Sequence, residues 1–115
     1  CQNYTEIAES NAEVGMSALV RAQTSYEDGL AFHQSSQNSR AYLSLKVAES
    51  HLIRGRLQLV TSLFQLERAR NVCESAQVID GLSMLWNEKI EELDILEELS
   101  ADLFDEITAA IEISN

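Results

Sequence analysis

The chain has 115 residues, no proline, four glycines, 45% hydrophobic residues and a formal net charge of −11. That length suits a single domain over residues 1–115. The hydrophobic share argues against disorder, helix formers without breakers argue for an all-α protein, and the acidic balance argues against nucleic-acid binding.

In the first forty residues the small side chains recur on a fixed step. Ala8, Gly15, Ala22, Gly29 and Ser36 stand seven apart, with Ala12, Leu19, Tyr26 and His33 between them. Alternating steps of four and three draw one stripe along a helix. Asp28-Gly29 offers an early stop, but the stripe crosses it in register, so the spacing predicts one helix over about 3–35. The polar stretch QSSQNS at 34–39 is the expected turn.

The middle of the chain shows the same habit. Leu45, Leu52, Leu59 and Leu66 alternate with Ala41, Ala48, Gly55, Ser62 and Ala69, and Cys73 and Ala76 continue the register. An ordinary coiled coil is large at both positions. Here every second position is small, which lets two helix axes approach nearer than the usual 8–10 Å. Gly55 costs a helix about 1 kcal/mol relative to alanine, so its place in the stripe points to close backbone approach. Gly15, Ala22, Ala48 and Gly55 are the expected packing residues of a tight antiparallel pair. The second helix is predicted over about 38–78 and closed by Asp80-Gly81, with Gly81 left-handed; NVCES at 71–75 is a weaker turn. A second apolar side, Leu43, Val47, Ile53, Leu57, Val60 and Phe64, predicts a helix buried on two sides.

A third helix is predicted over about 82–113. Leu82, Leu85, Trp86, Ile90, Leu93, Leu96, Leu99, Leu103, Phe104, Ile107 and Ile111 form its wide apolar stripe, with Trp86 as a core residue. Its other side is acidic. Residues 81–115 carry ten acids against Lys89, whereas 41–80 carry five basic and four acidic groups. Glu91, Glu98, Asp105 and Glu112 stand seven apart and form the expected partner-facing surface. Arg54, Arg56, Arg68 and Arg70 are the cations that would meet such acids, within the chain or from a neighbouring copy. The fold expected is an elongated antiparallel three-helix bundle, a rod of ~50–60 Å, with a left-handed supercoil from the period of seven.

Chemistry-bearing motifs are sparse. His33 and His51 lack carboxylates at helical offsets of three or four, so no metal is expected. There is no strained Gly-x-Ser-x-Gly turn and no glycine-rich phosphate loop, so neither enzyme activity nor a cofactor is expected. The function read from these features is a non-catalytic structural or accessory subunit that packs against a protein partner or a further copy of itself. An extracytoplasmic ligand-binding or sensor module is the alternative; Arg56 and Glu49, on one edge of the leucine stripe, would then contribute polar groups to a pocket.

The chain starts at Cys1, which resembles the lipid-modified first residue of processed bacterial lipoproteins; a fragment that begins there is the other reading. The resemblance implies a membrane anchor through Cys1 on the periplasmic side of a cell-envelope assembly, with Gln2 in place of Asp favouring the outer membrane. Cys73 is expected to be a free, buried thiol in the leucine register.

Overall fold

The structure, a computed structural model, describes residues 2–72 and 76–114. It contains three helices, α1 Gln2–Gln34, α2 Asn38–Val72 and α3 Ala76–Ser114, and no strand among the described residues. The Cα positions span 61 × 17 × 16 Å, with a radius of gyration of 17.6 Å. A compact chain of this length would have roughly 13 Å. The helices run antiparallel in sequence: Gly15 lies against Gly55 and Leu59, Gly29 against Leu45 and Ala41, Arg56 bonds Asp94, and Arg70 bonds Asp80.

The period-seven stripes are the seam. All nine stripe residues from Ala41 to Ala69 are buried, as are Ala8, Ala12, Gly15, Leu19, Ala22 and Gly29. At the crossing of α1 and α2, a Cβ placed on Gly15 would lie 2.9 Å from Leu59 Cγ and 3.2 Å from the Gly55 carbonyl oxygen. A Cβ on Gly55 would lie 3.2 Å from the Gly15 carbonyl oxygen. The two backbones therefore touch where neither residue has a side chain. The two glycines cost about 2 kcal/mol of helix propensity together. The approach they permit buries Leu59 and Leu93 completely, each worth about 1.5–3 kcal/mol, so packing outweighs propensity. Ser62 fills another small position, and its hydroxyl donates to the Gln58 carbonyl at 2.7 Å, so it enters the core satisfied.

α3 lies along the α1–α2 pair and touches α2 more than α1. Trp86 is its largest buried side chain and clusters with Ala8, Ala12 and Leu66, whose small neighbours leave room for the indole. At the other end Leu103 and Ile107 pack with Ala41 and Leu45.

The turn between α1 and α2 closes the first helix tightly. Ser36 takes a left-handed conformation at φ 61°. Its N–H donates to the His33 carbonyl at 3.0 Å, and the Gln37 N–H donates to the Phe32 carbonyl at 2.8 Å. This is the Schellman pattern, with serine where glycine is usual. Ser36, the last member of the small stripe, is thus a turn residue and exposed.

Three expectations are corrected. α2 ends at Val72 and α3 begins at Ala76, so Asp80-Gly81 is no stop. Gly81 lies inside α3, no glycine has positive φ, and nothing stands within 4 Å of where its Cβ would be. The reason is Ile79, buried in the core. Extending α3 backwards gains about 2 kcal/mol from that isoleucine, more than the glycine costs. Ala76, placed by sequence at the end of the α2 stripe, is instead the exposed first residue of α3. Cys73 lies outside the described residues.

The third correction concerns the back of α2. Leu43, Ile53, Leu57 and Phe64 are 64%, 63%, 63% and 70% exposed, Val47 is 49% exposed, and Val60 is half-buried. In a three-helix cross-section the two neighbours of any helix lie about 60° apart, so one arc reaches both. The leucine edge of the seam already meets α3, and the opposite side of α2 stays uncovered.

Candidate interaction surfaces

The three helices divide the outside of the rod into faces of different chemistry. By their observed limits, α2 holds six basic residues against two acidic ones, and α3 holds Lys89 against eleven acids. Part of this difference is used inside the chain. The Arg56 guanidinium donates to both Asp94 and Glu97. These bonds, that to Asp94 first, hold its pKa above the ordinary arginine value against the opposing effect of burial. Arg70 bonds Asp80 at 2.7 Å and Glu67 at 3.3 Å. α2 and α3 thus recognise one another by cation and carboxylate as well as by leucine.

Glu91, Glu98, Asp105 and Glu112 are all exposed, and none has an ion pair among the described residues. Their row does not draw the arginines, which go to Asp94, Glu97 and Asp80 instead. Arg54 and Arg68 have no carboxylate partner among the described residues. Lys46 has Glu49 at 3.5 Å and lies over the Tyr42 and Phe104 rings at 5.8 and 5.0 Å.

Each pair of helices frames a shallow groove. α1 borders two of them, with Val14, Arg21 and His51 on the α2 side and Met16, Val20 and Ile95 on the α3 side. The third, between α2 and α3, lies away from α1 and is lined by Glu49, Ile53, Glu97, Ala101, Phe104 and Asp105. Of the exposed row of α2, Ile53 lines this groove. Among the described residues the interior holds two buried polar side chains, Ser62 and Ser100. Arg56 and Glu49, the polar pair of the sensor reading, do not converge: Arg56 turns to α3, and Glu49 pairs with Lys46.

Comparison with protein-family models, curated proteins and solved structures finds no match.

Of the other residues singled out from sequence, Gly15, Ala22, Ala48 and Gly55 lie in the α1–α2 seam. Cys1 lies outside the described residues. His33 has a carboxylate that a search along its own helix misses: its Nε2 lies 3.6 Å from Glu106 of α3, and its Nδ1 lies 2.9 Å from Asn38 Oδ1. No group of three or more His, Cys, Asp or Glu stands close enough to hold a metal among the described residues. No helix of the described residues is long and apolar enough to cross a membrane.

Proposed function

We propose that this chain is a non-catalytic structural or accessory subunit whose work is to pack helices against a protein partner. The observation that carries the reading is the uncovered apolar row of α2. Four large side chains, each about two-thirds exposed, lie on a rod whose own core is already filled. They present on the order of several hundred Å² of apolar surface, the scale at which a patch marks an interaction site. The unpaired acids of α3 beside it favour partners with cations in matching places and steer the encounter.

The finer form of the proposal, a lipid anchor on Cys1 within a bacterial envelope assembly, rests on the sequence alone. Intact-mass analysis of protein from its natural source decides it: acyl mass on Cys1 supports the anchor, and an unmodified thiol removes it.

The packing role is tested with a benzophenone side chain at position 57 or position 98, irradiated in the source cell. Protein adducts from position 57 are expected. Absence of adducts from both positions overturns the packing reading.

A further inference from the structure

We infer that the groove between α1 and α2 binds a phosphate monoester. The inference goes beyond the packing role and does not depend on it. Arg21, His51 and Arg54 line this groove together with Glu13, Val14 and Ser17, over a floor that includes buried Ala18. None of the three basic side chains has a hydrogen bond or an ion pair among the described residues. Arg21 is the only Lys or Arg of α1, which carries five acids. The whole chain has 19 Asp and Glu against eight Lys and Arg. Two arginines and one glutamate line this groove, so its local balance is opposite in sign to that of the chain.

The seam brings these groups together. Gly15 lies against Gly55 and Leu59. Six residues further along α1, and six back along antiparallel α2 from the midpoint of that pair, stand Arg21 and His51. Arg54 follows His51 by three and Ser17 precedes Arg21 by four, so each pair shares one face of its helix. The close crossing of Gly15 and Gly55 thus sets two guanidinium groups beside an imidazole, on backbones nearer than usual. Like charges so placed repel. Glu13 does not neutralise them, for it lies eight residues, about 12 Å, along α1 from Arg21 and pairs with neither arginine. A bound anion would. The guanidinium fork takes phosphate oxygens two at a time, and the Ser17 hydroxyl can donate a further hydrogen bond. A phosphate monoester carries nearly two charges at neutral pH, so one compact group answers two arginines. The net charge of −11 disfavours an extended polyanion in its place.

A soluble ester and a lipid headgroup share this chemistry, and the test separates them. Amide NMR spectra of the full chain are followed at fixed ionic strength and about pH 7.5, where the ester is mostly a dianion. The probes are methyl phosphate and its singly charged counterpart, methyl sulfate. Co-sedimentation with phosphatidylcholine vesicles, with and without phosphatidic acid, is the lipid arm. Methyl phosphate is expected to bind saturably with a Kd of about 1 mM, to shift the amides that line the groove, and to bind more tightly than methyl sulfate. Arg21→Gln and Arg54→Gln, both at exposed positions, are each expected to raise that Kd roughly tenfold, the loss of one charged hydrogen-bond partner, with helicity unchanged. Lys89→Gln removes the same charge from α3 and is expected to leave the Kd as it was, and Glu13→Gln is expected to lower it. Binding to phosphatidic-acid vesicles without binding of methyl phosphate, lost in Arg21→Gln, supports the site and assigns it to a headgroup. Three results overturn the inference: no binding of phosphatidic-acid vesicles and none of methyl phosphate up to about 10 mM, binding that survives Arg21→Gln and Arg54→Gln together, or an equal loss in Lys89→Gln.

Discussion

Alanine substitutions at Gly15 and Gly81 separate close packing from helix propensity. Both residues sit inside long helices, so by propensity alone each change gains about 1 kcal/mol. At Gly81 nothing lies within 4 Å of the new methyl, so that gain is realised in full. At Gly15 the methyl would meet Leu59 Cγ at 2.9 Å and two backbone atoms, Gly55 O and Leu59 N, at 3.2 Å. The leucine can turn, but the backbone of α2 cannot move without parting the seam. Overpacking of this kind costs about 1–3 kcal/mol, which cancels the propensity gain and leaves a net loss of up to about 2 kcal/mol. Gly55→Leu adds three more carbons against the Gly15 carbonyl oxygen and Leu93, and its loss should be larger still. Circular dichroism followed through heating and through urea is the assay, at about 4 °C per kcal/mol for a chain of this size. The expected order of melting temperature is Gly81→Ala above the parent, the parent at or above Gly15→Ala, and Gly55→Leu lowest. If Gly15→Ala is as stabilising as Gly81→Ala, the two backbones are not in contact and the account of the seam is wrong.

Other substitutions test the remaining parts of the fold. Ser36 holds a left-handed φ of 61°, which costs a residue with a Cβ about 1–2 kcal/mol; Ser36→Gly should stabilise the chain by about 1 kcal/mol in urea unfolding, and a loss of stability would contradict the turn geometry. Ser100 has a buried hydroxyl without a hydrogen-bond partner, so Ser100→Ala should be neutral or stabilising by about 1 kcal/mol, and a clear loss would show that the hydroxyl is bonded. Arg56 is partly exposed beside Asp94 and Glu97, so Arg56→Gln should cost no more than about 1 kcal/mol, and the difference from the parent should shrink in about 1 M salt; a larger, salt-independent loss would mean that its stem packs rather than its charge. Because the pair raises the guanidinium pKa above its ordinary value, the contribution of that proton is fully present below the unfolded arginine range and is lost only as pH rises beyond it. Arg56 itself therefore adds no pH dependence near neutrality.

The inner seam was legible because one pattern carried two facts at once. A step of seven says which residues share a face, and their alternating size says how near the neighbouring backbone comes. Both follow from helical geometry and side-chain volume, so the buried run from Ala41 to Ala69 and the facing Gly15 and Gly55 could be named without coordinates. The acidic outside of α3 was legible for the same reason, since eleven carboxylates cannot be buried without partners.

Tertiary structure decided what local pattern cannot rank. Asp80-Gly81 has the composition of a helix end, and only the burial of Ile79 against α1 and α2 makes the longer α3 the better state. A second apolar side on α2 says that the helix can be covered twice, not that anything within the chain covers it; the three-helix cross-section leaves that side open. The destinations of Arg56 and of His33 likewise depend on which residues of α3 lie level with them. Sequence periodicity thus fixed the faces and the spacing, because those are set within one helix, while the helix boundary, the open row and the ion pairs were set between helices, where burial of distant residues outweighs local preference.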